Sequence, residues 1–147
     1  MIKIIHLYQF KFNDFAANYS SDFFTKIWQM ILNGHVAASK QNENLLNAVI
    51  KYLTEISLNP TSHEFFRAQM VPLFQLLIIP NISLTKDDIE EYEDEPDSYI
   101  KNDLEESDTD SRRRICMKFV QTLSRFFSVE VGNIISENVN TLISQYQ

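Results

Sequence analysis

Only two glycines (Gly34 and Gly132) and four prolines punctuate these 147 residues. An all-β sandwich needs a turn signal every ~8–12 residues, and this chain does not supply them. The intervals are filled instead by apolar residues three and four apart, the spacing of helices with one buried face. In "SSDFFTKIWQMILNG", Ser21 and Asp22 are read as caps, Phe23, Phe24, Ile27, Trp28 and Ile31 share a face, and Gly34 ends the helix. "NENLLNAVIKYLTEISLNP" carries Leu45, Leu46, Val49, Leu53 and Ile56 and stops at Pro60. "TSHEFFRAQMVPLFQLLIIP" starts from a cap at Thr61 or Ser62, should kink or split at Pro72, and should close at Pro80. "SDTDSRRRICMKFVQTLSRFF" turns Cys116, Phe119, Val120, Leu123 and Phe127 inward. "VEVGNIISENVNTLISQY" does the same with Val131, Ile134, Ile135, Val139 and Leu142. The expected fold class is all-α.

The links between paired helices are short, which favours antiparallel hairpins. Comparable helices start near Ser21 and Thr61, about 40 residues apart, the period of HEAT-type repeats. The stripes are broad, and the last one continues to "SQYQ" with no polar-faced terminal helix. Solenoid repeats bury their faces only against neighbours. Residues 1–147 are therefore expected to be one slice of a longer HEAT-repeat α-solenoid, with bare end faces that would favour self-association of the isolated segment. No apolar run reaches the ~20 residues of a membrane span. "MIKIIHLYQF" lacks the features of a signal peptide. The single cysteine, Cys116, excludes an internal disulfide and suits a reducing compartment.

Charge is unevenly spread. Between Lys86 and Asp110 thirteen Asp and Glu stand against two Lys, a balance of −11. Out of −7 for the whole chain, that leaves the remainder at +4. The body is mildly basic and is interrupted by one acidic insertion, at about residues 81–108. Such a segment is a poor partner for nucleic acid or an anionic membrane and suits a basic protein surface. Two readings stand: a solvated loop that keeps an apolar solenoid soluble, or a partner-binding insertion built on Asp87, Asp88, Glu90, Glu91, Glu93 and Asp94. Further on, Pro96 suits a first helical turn, and Tyr99, Ile100 and Leu104 suggest a short helix packed on the body.

Enzyme readings find little support. His6, His35 and His63 are scattered without metal-ligand spacing. Cys116 sits on an apolar stripe and reads as a small core residue. "DDIEEYEDEPDS" lacks the central glycine and alternating ligands of a calcium loop. No glycine-rich loop accompanies Arg112–Arg114, so nucleotide binding is not expected. Arg112 and Arg113 are assigned to neighbouring carboxylates or to a helix dipole.

"DTDSRRRICMKF" places Asp108 six residues before Arg114, which resembles the D-x-D-x-x-x-R start of the second helix of a HEAT repeat. In that pattern Asp108 and Arg114 would tie neighbouring repeats together. The longer run "IIPNISLTKDDIEEYEDEPDSYIKNDLEESDTDSRRR" resembles the middle of the CAS-type exportins, the importin-α re-exporters of the importin-β (karyopherin) superfamily. Glu93, Asp94, Tyr99, Ile100, Asp103, Leu104, Glu105, Ser107, Asp108, Asp110 and Arg112–Arg114 carry that likeness, and it extends through "IWQMIL" and "RFFSVEVGNIISENVNTLISQY". The resemblance implies a receptor that binds Ran in its GTP form together with importin-α, shuttles between nucleus and cytoplasm, and has no catalysis and no cofactor. It also implies that the repeats making the main contact with Ran and completing the grip on importin-α lie outside these residues. It places the acidic insertion inside the superhelix as a partner-binding hinge. A sister receptor of the same superfamily and a Ran-independent α-solenoid scaffold are the alternatives.

Overall fold

Between Asn13 and Gly34 the chain has no proline and no glycine to break a helix, and it forms one helix, α1 (Asn13–Leu32). The computed structural model describes residues 13–34, 42–104 and 111–145, with side chains for 22–34, 42–101 and 111–145. Helix α1 has Ser21 and Asp22 in its interior, so neither stands at its start. Gly34 closes it as expected, with φ +70° and its N–H donating to the Ile31 carbonyl at 3.0 Å.

Helix α2 (Glu43–Ser57) buries Leu46, Val49, Ile50, Tyr52 and Leu53. Leu45, expected inward, is exposed, and Ile50 and Tyr52 take up the face instead. The corner after α2 is fixed by side chains. Asn59 Oδ1 accepts from the Thr61 N–H at 3.1 Å and caps a short 3₁₀ turn, Pro60–Ser62. Ser62 Oγ donates to the Ile56 carbonyl, and His63 Nε2 lies 3.0 Å from the Ser57 carbonyl. Ser62 thus holds the position before the next helix as expected but makes no capping hydrogen bond there, and the side chain that caps is Asn59's, on the 3₁₀ turn.

Helix α3 (His63–Leu73) passes through a π stretch, Phe74–Ile78, into α4 (Ile79–Ile82). Pro72 does not split it, and Pro80 does not end it. A proline ring strikes the carbonyl one turn back, and widening to i→i+5 hydrogen bonds makes room. The Ile79 N–H accordingly reaches the Phe74 carbonyl. Buried Asn81 donates through Nδ2 to the Leu77 carbonyl at 2.6 Å and carries the helix past Pro80. Contrary to expectation, the stretch from Pro60 is long and apolar enough to cross a bilayer by length and composition. Its Phe66, Met70, Leu73, Phe74, Leu77 and Ile78 are nonetheless buried in a helical core.

After the insertion, α7 (Arg112–Phe126) and α8 (Ser128–Gln145) meet at buried Phe127, against which His63 packs. The helices form two layers. α2 lies along α7, while α1 meets the π stretch and α3 meets α8. Arg67 Nε donates to Glu130 Oε1 at 2.8 Å across the α3–α8 contact. One core runs between the layers, with Leu46, Leu53, Phe66, Leu77, Phe119 and Leu123 at its centre. This is the antiparallel, two-layered arrangement of a HEAT solenoid, and the described residues contain no strand. The start-to-start distance is longer than the 40 residues expected: Asn13 to Pro60 is already 47 residues. On α8, Val131 and Ile134 are buried as expected, whereas Ile135, Val139 and Leu142 are exposed.

Candidate functional site

Between helices α4 and α7, the described part of the acidic insertion is largely helical. Helix α5 (Lys86–Asp94) follows a short extended link, and α6 (Pro96–Leu104) packs on it. The sequence pattern predicts α6, with Pro96 in its first turn, and predicts no helix over α5. The missed signal is local: Thr85 and Asp88 stand at the two positions of a capping box. Thr85 Oγ1 accepts from the Asp88 N–H at 3.2 Å, and Asp88 Oδ2 accepts from the Thr85 N–H at 2.7 Å. Asp87 and Asp88 in the first turn also sit well against the helix's positive end. No residue of α5 is buried, so caps and polar contacts hold it rather than a core.

The main polar contact runs back to α7. Arg112 Nη2 donates to Asp88 Oδ2 at 2.5 Å, and Arg113 Nη1 lies 3.5 Å from the same oxygen. The three side chains are only 11%, 14% and 16% exposed for Arg112, Arg113 and Asp88. Arg113 also donates through Nη2 to the Tyr99 hydroxyl and lies 5.4 Å from the centre of the Tyr99 ring. Tyr99 in turn meets Tyr92 edge-on, with ring centres 5.7 Å apart. Burial pushes the Asp88 carboxyl up. The Thr85 hydrogen bonds and the Arg112 and Arg113 charges together outweigh that and hold it below the usual carboxylate value. These residues form a clasp, in which α5 and α6 are pinned to the first turn of α7 by one carboxylate, two guanidiniums and one phenol.

The six carboxylates proposed from the sequence therefore divide. Asp87, Glu90, Glu93 and Asp94 are exposed, and the 87–90–94 spacing puts three of them along one face of α5. Asp88 is taken up by the clasp, and Glu91 is half-buried. Asp108 lies outside the described residues, and so does its pairing with Arg114. The Arg114 N–H donates to the capping Ser111 Oγ at 3.3 Å. Of the two roles offered for Arg112 and Arg113, the carboxylate one fits this geometry. Both sit at the positive end of α7, where a helix dipole disfavours cations.

The same geometry bears on chemistry. Burial pushes the Cys116 thiol up to about 12, only partly opposed by Arg112, so it stays protonated and unreactive near neutral pH. Among the described residues no group of His, Cys, Asp and Glu could hold a metal ion. The arrangement offers an acidic surface presented at a fixed place on a solenoid.

The Cse1 family model matches residues 1–147. The chain is 29% identical over 146 residues to the importin alpha re-exporter of Saccharomyces cerevisiae, covering 98% of this chain and 15% of that protein. It is 30% identical over 142 residues to exportin-2 of Homo sapiens, covering 95% of this chain and 14% of that protein. A solved structure, the exportin Cse1 in its cargo-free, cytoplasmic state, superposes with a TM-score of 0.88 at 28% identity. That match covers 99% of this chain and 16% of the other. The chain thus spans about a seventh of the length of these relatives.

Proposed function

The chain belongs to the Cse1 family, and on that premise we propose that it is a central segment of a nuclear export receptor. Residues 1–147 supply consecutive HEAT helices to one solenoid, with the acidic insertion at about 81–108 projecting from it. The parent protein binds Ran in its GTP form and importin-α together, carries importin-α from nucleus to cytoplasm, and releases it when the GTP is hydrolysed on Ran. The segment acts by binding and needs neither catalysis nor a cofactor of its own.

The supporting observation is the exposed face of α5, where Asp87, Glu90, Glu93 and Asp94 stand clear of the clasp. Carboxylates on a helix that the fold holds in place can meet a basic partner without first being ordered. Complementary charge of this kind raises the encounter rate and sets register more than it raises affinity. Two partners that favour one conformation of a solenoid assist each other by a coupling free energy, and each must then raise the other's affinity by the same factor.

The test reverses Asp87, Glu90, Glu93 and Asp94 to lysine in the full parent chain. Importin-α affinity is then measured with and without Ran-GTP. The expected result is a smaller enhancement by Ran-GTP and a weaker dependence on salt. Unchanged affinity in both conditions would remove the insertion from the function. Retention of the parent on immobilised Ran regardless of bound nucleotide would remove the export reading as a whole.

A further inference from the structure

The exposed surface of the insertion is not only acidic. Leu84, Ile89 and Tyr92 are 62%, 47% and 49% exposed. Leu84 and Ile89 occupy the N′ and N4 positions on either side of the Thr85–Asp88 capping box, the pair that a hydrophobic staple brings together. Tyr92 follows Ile89 by three residues on the same side of α5. Its ring meets Tyr99, and the next residue, Ile100, leaves 43% of its surface open. Leu84, Ile89 and Tyr92 thus give α5 an exposed apolar strip flanked by exposed carboxylates, with exposed Ile100 on the neighbouring α6, and none of the four side chains enters the core.

Charge decides what suits this strip. A second copy of the chain would bring carboxylates against carboxylates, and an anionic lipid surface would be repelled for the same reason. A positively charged polypeptide with apolar side chains of its own meets both features at once. We infer, resting on the export-receptor reading above, that Leu84, Ile89, Tyr92 and Ile100 dock a basic amphipathic segment of the protein partner. Its apolar side chains lie along the strip, and its Lys and Arg reach Asp87, Glu90, Glu93 and Asp94. The strip supplies the anchor, because central apolar and aromatic contacts carry most of an interface's energy. The carboxylates supply register and on-rate.

The test is made in the full parent chain with importin-α as the probe, in the presence of Ran-GTP, across a series of salt concentrations. Ile89→Ala with Ile100→Ala keeps good helix formers and all charges, and Tyr92→Ala is made separately. Hydrogen exchange of α5 checks that the helix persists in each. The expected result is an affinity lowered about tenfold with an unchanged salt slope, whereas Asp87→Lys with Glu90→Lys flattens the slope. Apolar variants that retain α5 and bind like the parent at every salt concentration would overturn the docking inference. If the charge variants still weaken binding, the export-receptor reading survives that result. If neither class changes binding, the docking inference falls and the insertion drops out of the function. Retention on Ran regardless of nucleotide remains the result that would overturn the export-receptor reading.

Discussion

Replacing Asp88 by alanine should release the insertion without unfolding the solenoid, and the structure fixes the size of the effect. The substitution removes the acidic half of the capping box, about 1 kcal/mol at a helix N-terminus. It also removes a charge-assisted hydrogen bond to Arg112, roughly 1.5–3 kcal/mol for a charged partner. With Asp88 16% exposed, the lower part of that range applies. The total is about 2–3 kcal/mol, and α5 has no buried residue with which to resist it. Peptide-resolved hydrogen exchange of the full parent chain reads this directly. Amides of 86–94 should exchange roughly 30- to 150-fold faster, at about 1.4 kcal/mol per factor of ten. Amides of α2 and of the interior of α7, buried around Leu53 and Phe119, should keep their rates. Unchanged exchange in α5 would mean that the clasp does not hold it. Equal acceleration throughout the core would mean that the insertion is part of the cooperative unit and not an attachment to it.

Three further outcomes follow from the same geometry. Because the Asp88 carboxyl is held below its ordinary 3.8, the clasp's contribution is fully present above that pH and is lost as pH falls through the lower folded-state value. Protection of α5, corrected for intrinsic exchange, should hold at pH 5 and drop below about 3.8, a step that Asp88→Asn should lack. Arg113→Ala removes the Tyr99 hydrogen bond and ring contact and should speed exchange in α6 roughly tenfold while leaving the Asp88–Arg112 pair in place. Alanine meets nothing within 4 Å at either glycine, so backbone conformation alone decides. Gly34→Ala, at φ +70°, should destabilise the end of α1 by about 1 kcal/mol, and Gly132→Ala should stabilise α8 by about 0.5–1 kcal/mol. Local exchange rates at the two helices give both signs.

Helical periodicity was legible where one face is buried throughout. Leu46, Val49 and Leu53 on α2 and Cys116, Phe119 and Leu123 on α7 all lie where their spacing put them. It misled on α8, where Ile135, Val139 and Leu142 continue the stripe yet are exposed. Breaker residues misled for another reason. Pro72 and Pro80 are strong local signals, yet a π stretch and the Asn81 side chain let the helix continue through both. Ser21 and Asp22 look like caps only if the residues before them are not helical. The insertion was legible as a charge anomaly and as a candidate site, but not as a clasp, because Asp88 and Arg112 lie 24 positions apart and the one-dimensional pattern between them carries no trace of their contact. The Thr85–Asp88 pair was the one local clue to α5.

The clasp also accounts for an arrangement that local rules disfavour. Arg112, Arg113 and Arg114 form the whole first turn of α7, and no acidic residue stands in that turn. Three cations at the positive end of a helix oppose its dipole, by several tenths of a kcal/mol each when exposed and more when solvent is withdrawn. Two of these guanidiniums are nearly out of solvent. An anion is therefore required at that place, and Asp88 delivers it from a different helix. Here the ion pair is not an ornament on an already stable surface. The start of α7 needs a carboxylate and α5 needs an anchor, and a single contact meets both needs. Moving the insertion must consequently disturb the end of a core helix that packs along α2. Opposite charge centred on Asp88 thus links the acidic face to the repeat behind it. A partner bound to α5 as proposed would act on the solenoid through Asp88 and Arg112, and Asp88→Ala should uncouple the two even where the exposed carboxylates remain intact.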